Sequence, residues 1–220
     1  KEYFNIPKDT IYLNTPGNGL LPKDSLSWRR NRDEDFFEVN GLLRDKQTEF
    51  IDGVKKLVAS FFGAKKENTF LTPNFSFGYS TLVDLLPDSL TYLLLEDEYP
   101  SLQYPILNRK LKHVVVPASS NVEEDLLEGI EKHKPDVLIL SLVQYISGLM
   151  VDLDFIKALK ANHPDLLIIA DGTQFLGTEP FNFQQSGIDG LGCSGYKWLL
   201  SGFGNGFMLL SDDLKSKLEN

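Results

Sequence analysis

A lysine and an aspartate stand in two segments whose residue types suit covalent chemistry on a carbonyl compound. Lys197 lies in GCSGYKWLLSGFGNG (192–206), where it is the only charged residue among five glycines. A lysine amine that is partly removed from water has a lowered pKa, and its lone pair can then form a Schiff base with a carbonyl. Lysine is rarely buried without a partner, so Lys197 is either a snorkelling surface residue or a residue with a chemical role.

Asp171 is the second part of this pattern. It follows the apolar run LLIIA and precedes Gln174 by three residues. An aspartate at such a position either caps a helix or holds a cation or a protonated ring nitrogen. Opposite a lysine, it would keep a pyridine nitrogen protonated, so that the ring accepts electrons from a carbanion. This is the pairing that pyridoxal phosphate needs.

The phosphate group and the ring face of this cofactor would also need partners in the protein. TPNFSFGYSTLVDLL (72–86) places Ser76 where a strand ends and a helix begins, so its hydroxyl and nearby N–H groups could bind an anion, or Ser76 could be a plain N-cap. Ser194 and Tyr196 offer further hydroxyl groups beside the lysine. Tyr99 follows another strand and could stack on the ring, although an aromatic residue there more often serves packing.

Seven short apolar segments predict the strands that must position these groups: TFLTP, TYLLLE, KHVVVP, DVLILSLV, DLLIIAD, IDGLGCS and GFMLLS. Amphipathic segments typical of helices lie between several of them, and TEFIDGVKKLVASFFGA predicts a long helix that ends at Gly63. Apolar strands alternating with helices predict an α/β fold with a mainly parallel seven-stranded sheet and helices on both faces. In such sheets ligands bind beyond the carboxyl ends of the strands, where the candidate residues stand.

Composition and charge argue against several classes of protein. The 220 residues are 42% hydrophobic and 24% charged, as in an ordinary globular protein. The net charge of −9 argues against nucleic acid or an anionic membrane as a partner. No segment has the roughly 20 apolar residues of a membrane span, and no signal peptide is visible. Because the single cysteine, Cys193, allows no intrachain disulfide, we expect a cytoplasmic protein in which Cys193 belongs to the core.

Two other kinds of enzyme fit the sequence less well. GFGNG resembles a dinucleotide-binding fingerprint, but it precedes a predicted strand instead of following one and opening a helix. His113, His133 and His163 have no second ligand at zinc-like spacing, so no metal site is predicted. A non-catalytic binding protein on this scaffold is a remote alternative, since Lys197 and Asp171 would then have no reason to occur together.

The segments ADGTQ (170–174), CSGYKWL (193–199) and GFGNGFMLL (202–210) together resemble the class V aminotransferase family of fold-type-I pyridoxal phosphate enzymes. That family includes cysteine desulfurases, selenocysteine lyases, kynureninases and isopenicillin-N-epimerase-like proteins. IYLNTPGNGLLP, TPNFSFG, EDEYPS and SLVQYISGLMVD extend the resemblance over about residues 11–211. It implies an irregular segment over residues 1–22 and a cofactor-binding large domain over residues 23–220, with the C-terminal small domain outside this chain.

The resemblance assigns a role to each candidate residue. Lys197 would hold the cofactor as a Schiff base and move the substrate's α-proton, while Asp171 would pair with the pyridine nitrogen. The other residues would surround the cofactor: Asn74, Phe75, Ser76, Ser194 and Tyr196 at the phosphate, Tyr99 over the ring, and Gln174 with Gln144 or Tyr145 near its 3-oxygen.

The resemblance implies an enzyme that acts on an amino acid, and an aminotransferase-like reaction is the first expectation. Cysteine desulfurases usually carry histidine where this chain has Tyr99 and Tyr196 and asparagine where it has Tyr145, so VQYISG and SGYKWL look more like the kynureninase and epimerase-like branches. A cysteine desulfurase, selenocysteine lyase or kynureninase-like lyase is the alternative, because these reactions share one α-carbanion. The resemblance also implies a homodimer.

Overall fold

The computed structural model describes residues 2–218, apart from the side chains of residues 39–42, and its sheet contains all seven predicted strands. They are β1 (Thr69–Thr72), β2 (Thr91–Leu95), β3 (Lys112–Val116), β4 (Val137–Ser141), β5 (Leu167–Asp171), β6 (Gly190–Ser194) and β7 (Gly206–Leu210). Their order across the sheet is β1-β7-β6-β5-β4-β2-β3. The predicted mainly parallel sheet is confirmed.

Strand β7 runs antiparallel to both of its neighbours, whereas the pairs from β6 to β3 are parallel. A parallel pair needs a long crossover, usually a helix, but residues 195–205 join β6 to β7 without one. The chain therefore turns back directly after β6. This turn carries Lys197 at the carboxyl end of the sheet's central strands.

Helices cover both faces of the sheet. Along β4, Leu138 and Leu140 face one hydrophobic cluster, while Val137 and Ile139 face the other. Because both faces are buried, the strand is apolar throughout and not alternating. The helices are α1 (Lys23–Asp45), α2 (Gln47–Phe61), α3 (Phe75–Asp84), α4 (Pro100–Asn108), α5 (Val122–His133), α6 (Leu153–Asn162) and α7 (Asp212–Ser216), with 3₁₀ turns at Lys66–Asn68 and Phe183–Gln185.

The cluster on one face takes apolar side chains from α5 and α6, and the cluster on the other takes them from α3, α4 and α7. The helix predicted to end at Gly63 is α2, which ends at Phe61, and Gly63 adopts a left-handed φ of 61°. The described residues before Lys23 form neither helix nor strand, while the division into two parts at residue 22 stays a prediction. None of the described helices has the length and hydropathy of a membrane span.

Candidate functional site

A cavity of about 300 Å³ opens at the carboxyl ends of the parallel strands. Ten of the eleven residues predicted to hold a cofactor line it: Asn74, Phe75, Ser76, Tyr99, Tyr145, Asp171, Gln174, Ser194, Tyr196 and Lys197. Six further residues complete the wall: Pro73, Ser141, Val143, Thr173, Phe203 and Gly204. The fold thus brings the candidate residues together in one place.

Gln144 is the predicted residue that the structure places elsewhere. Its side chain is buried, and its Nε2 donates a 3.0 Å hydrogen bond to Oε1 of Glu98. The next residue, Tyr145, lines the cavity instead and meets the ring of Tyr99 edge to face, with 5.2 Å between the centroids. Gln144 and Tyr145 were the two alternatives for the position opposite Gln174 at the 3-oxygen, and only Tyr145 lies at the cavity.

Lys197 lies in the turn between β6 and β7, with its side chain half-buried. Its Nζ is 5.8 Å from the ring centroid of Tyr196. Burial lowers the pKa of Lys197, and the charge of Asp171 partly opposes this effect. A larger fraction of the amine is therefore uncharged than in water, which is the form that attacks a carbonyl.

Asp171 ends β5 and is 7% exposed. Its Oδ1 accepts a 2.8 Å hydrogen bond from the Thr173 N–H, and turns rather than a helix follow it, so it does not cap a helix. Burial raises the pKa of Asp171 to about 6, although the bonds from Thr173 and the charge of Lys197 lower it. A cation close to this carboxylate would restore the stability that burial removes from its ionised form.

The N-terminus of α3 forms another part of the cavity wall. Asn74 is its N-cap and accepts a 2.8 Å hydrogen bond from the Phe77 N–H, so Ser76 is not the cap. The Phe75 N–H donates to Oγ of Ser194 at 2.9 Å. Among the described hydrogen bonds, the Ser76 N–H has no partner, and the Ser76 hydroxyl donates to Ser101 at 2.7 Å. A helix N-terminus with such a donor suits an anion such as phosphate.

Thr173 is a cavity residue that the sequence reasoning missed. Its Oγ1 accepts a 3.0 Å hydrogen bond from the Ser194 N–H and so joins the ends of β5 and β6. Its position between Asp171 and Gln174, in the polar loop after β5, could have indicated that it belongs to the site. The exposed Phe203 was also missed, although it stacks on Tyr196 with centroids 4.9 Å apart.

Gln174 connects the cavity to the N-terminal segment. Its Oε1 accepts a 3.0 Å hydrogen bond from Nε1 of Trp198, and its Nε2 donates a 3.0 Å bond to the carbonyl oxygen of Pro16. These partners fix which end of the amide is oxygen, because the indole only donates and the carbonyl only accepts. One Nε2 hydrogen remains to donate to a ligand.

These residues fit pyridoxal phosphate. The set contains an amine that can condense with an aldehyde, a buried carboxylate for a ring nitrogen, and a helix N-terminus with hydroxyl groups for a phosphate. Cys193 is buried in the core beneath the site, where burial raises the pKa of its thiol well above the usual value. Within residues 2–218, no cluster of three or more His, Cys, Asp or Glu side chains could hold a metal ion.

Known proteins resemble this chain in sequence and in fold. A kynureninase of Vanderwaltozyma polyspora is 25% identical over 231 residues, covering 90% of this chain and 49% of the kynureninase. A lysine-to-alanine mutant of C-DES, with glycine covalently linked to its PLP cofactor, shares 19% identity at a TM-score of 0.87, over 96% of this chain and 59% of that one. The apo cysteine desulfurase of Thermococcus onnurineus NA1 shares 19% identity at a TM-score of 0.77, over 96% and 56%.

The present chain spans about half the length of the curated relative it matches. The solved structures establish the fold, which confirms the predicted fold-type-I large domain. The cofactor in the C-DES structure agrees with the predicted pyridoxal phosphate. A family model described as "Aminotransferase class-V" matches residues 41–220, most of the chain. The chain therefore belongs to the class V aminotransferase family.

Proposed function

We propose that this chain is the cofactor-binding part of a pyridoxal phosphate-dependent enzyme that acts on an amino acid. The observation that carries the proposal is the cavity that gathers Lys197, Asp171 and the N-terminus of α3 at the carboxyl ends of the strands. When bound, pyridoxal phosphate supplies an electron-withdrawing ring that stabilises negative charge on the α-carbon of an amino acid.

Asp171 would hold a proton on the ring nitrogen. Its carboxylate is buried, and burial raises its pKa to about 6. A buried anion attracts a nearby cation strongly because little water screens the pair. The fixed hydrogen bond from the Thr173 N–H keeps Oδ1 in place, so the carboxylate is already oriented before the cofactor arrives.

Lys197 would hold the cofactor through Nζ, and the same amine, when free, would act as a general base. Because burial lowers the pKa of this amine, a larger fraction of it is uncharged and able to accept the substrate's α-proton and later return it. Its position in the turn after β6, close to the ring of Tyr196, keeps it within the cavity.

The N-terminus of α3 would hold the phosphate group. The Ser76 N–H and hydroxyl lie at this end of the cavity, with Asn74 and Ser194 fixing the first turn through their bonds to Phe77 and Phe75. The partial positive charge of a helix N-terminus favours a bound anion. Tyr99, on another part of the wall, would cover the ring and keep water away from it, and Tyr145, which meets Tyr99 edge to face, would lie near the 3-oxygen.

An aminotransferase is the first candidate for the reaction class, in keeping with the sequence motifs. A lyase that cleaves a bond at the β-carbon is the second candidate, and two observations favour it. One is the kynureninase relative. The other is the aromatic wall of Tyr99, Tyr145 and Phe203, which suits a substrate with an aromatic side chain.

A homodimer located in the cytoplasm completes the proposal. The resemblance to the family supports the dimer, and the single cysteine supports a reducing compartment. Light scattering of the full-length protein tests the dimer. A monomer that turns over substrate would contradict it.

The proposal is tested by adding pyridoxal phosphate to the protein and recording its visible absorption spectrum. We expect a yellow protein, and a protein that remains colourless contradicts the proposal. The holoenzyme is then incubated with a panel of amino acids, with separate assays for keto acid, sulfide and alanine. Keto acid formed by amino transfer identifies an aminotransferase. Alanine from an amino acid with an aromatic side chain, or sulfide from cysteine, identifies a lyase.

A further inference from the structure

Glu98 is a buried carboxylate that none of the roles above uses. It lies three residues after β2 and is 2% exposed. None of the salt bridges formed by the described residues includes it. A buried carboxylate without a cation must be stabilised by hydrogen bonds, or it destabilises the fold.

Four hydrogen bonds converge on this carboxylate. Oε1 accepts from the Ser141 N–H at 2.7 Å and from Nε2 of Gln144 at 3.0 Å. Oε2 accepts from the Ser141 hydroxyl at 2.6 Å and from the Tyr99 N–H at 3.2 Å. Three of the four donors are N–H groups that cannot accept, so they require an acceptor at both oxygens. Burial raises the pKa of Glu98, and the bonds from Ser141 and Tyr99 oppose that rise.

Tyr99 and Gln144, two of the three donor residues, belong to loops that carry two residues of the aromatic wall. Tyr99 follows Glu98 directly, and Tyr145 follows Gln144 directly. Both rings line the cavity and meet edge to face at 5.2 Å. Ser141 ends β4 and pairs in register with Asp171 at the end of β5. The Glu98 carboxylate therefore binds the backbone of Tyr99, the side chain before Tyr145 and the end of β4 beside Asp171.

We propose that Glu98 is a positioning residue of the site: its carboxylate holds the Tyr99 and Tyr145 loops so that the two rings cover the cavity in one arrangement. The inference rests on the proposed function for the identity of the molecule beneath the rings. Glu98 acts through the tyrosines and does not itself line the cavity.

The test is Glu98→Gln, which keeps the size of the side chain. Its NH₂ group must face either the Ser141 and Gln144 N–H groups or the Tyr99 N–H, so at least one donor loses its acceptor. We expect the affinity for pyridoxal phosphate to fall about tenfold. We also expect a weaker circular dichroism band of the bound cofactor in the visible range, because that band reports the asymmetry of the cofactor's surroundings.

Asp189→Asn is the matched control. Asp189 is also buried and accepts hydrogen bonds from the Ile168 N–H at 2.9 Å, Nζ of Lys160 at 2.8 Å and the Ser211 hydroxyl at 3.1 Å. It directly precedes β6, at the amino end of that strand, whereas the cavity opens at the carboxyl ends of the strands. The control should lower the thermal stability of the protein but leave the cofactor affinity and the dichroism band unchanged.

Gln144→Met is the second variant, for use if Glu98→Gln does not fold. It removes one bond to Glu98 from a side chain outside the cavity, so any effect on the cofactor must pass through Glu98 or Tyr145. A severalfold loss of affinity supports the inference. An affinity and a dichroism band equal to those of the wild type overturn it, as does an equal response of Glu98→Gln and the control. If the wild type itself fails to bind pyridoxal phosphate, the proposed function is overturned. If the wild type binds and the variants bind equally well, only the inference about Glu98 is overturned.

Discussion

The backbone N–H of Gly19 donates a 2.8 Å hydrogen bond to the carbonyl oxygen of Tyr196, the residue before the candidate catalytic lysine. A β-carbon at Gly19 would overlap the carbonyl oxygen of Lys197 and lie 2.7 Å from Cδ2 of Leu200. Only glycine allows this approach of two backbones. The N-terminal segment is therefore in direct contact with the turn that presents Lys197.

Replacing Gly19 with alanine should displace this turn. We expect Gly19→Ala to bind pyridoxal phosphate at least about tenfold more weakly, because a shift of the lysine away from its productive position removes the covalent contact. The measurement is a spectrophotometric titration with the cofactor. Gly53→Ala is the control: a β-carbon there meets nothing within 4 Å, and the change in α2 should stabilise the protein by about 0.5–1 kcal/mol. Equal cofactor affinity in both variants contradicts the prediction.

Lys197→Ala should abolish the visible absorption band of the holoenzyme and lower the turnover rate by about 10²-fold or more, since the amine both holds the cofactor and moves a proton. Lys56→Ala, which removes an exposed lysine of α2, should leave both unchanged. Borohydride reduction of the holoenzyme followed by peptide mapping locates the cofactor. Attachment to another lysine would show that Lys197 is not the anchor.

Asp171→Asn should make the cofactor-free protein more stable at high pH. The folded protein raises the pKa of Asp171 to about 6 from 3.8, so it holds the proton more tightly than the unfolded chain does. The stability that this group contributes is complete below pH 3.8 and is lost as the pH rises through 6. The asparagine variant avoids this loss, which amounts to about 3 kcal/mol at pH 8.

Urea unfolding of the two cofactor-free proteins at pH 4, 6 and 8 measures this difference. We expect it to be small at pH 4 and largest at pH 8. With pyridoxal phosphate bound, the order should reverse, because the variant lacks the charge that holds the ring nitrogen's proton. A cofactor-free variant that is less stable than the wild type at pH 8 would refute the prediction.

Asn74→Ala should weaken the binding of pyridoxal phosphate more than that of pyridoxal, which lacks the phosphate. The variant loses the N-cap of α3 and loosens the turn that carries the Ser76 N–H, at a cost of about 1 kcal/mol in stability. Asp152→Ala removes the side-chain cap of α6, away from the cavity, and serves as the control. Equal losses of affinity for both ligands in Asn74→Ala would place the phosphate elsewhere.

The sequence predicted the sheet and most of the cavity for local reasons. A short apolar run such as VLILS is typical of a strand buried on both faces, and residues after parallel strands meet at one end of the sheet. The sequence alone therefore paired Asp171 with Lys197. The bounds of helix α1 could not be predicted, because most of its described side chains are exposed and its sequence contains little apolar stripe.

Only the tertiary structure decided how side chains are directed within the loops. After β4 the strand alternation ends, so no periodicity could tell that Tyr145 lines the cavity while Gln144 turns toward Glu98. A glutamate in the loop EDEYPS is expected on the surface, yet Glu98 is buried because donors from residues 141 and 144 converge on it. Such partners lie more than 40 positions away in sequence. The amino-acid sequence alone therefore determined the elements and the chemistry at their ends, while contacts between distant loops determined which groups face the cavity.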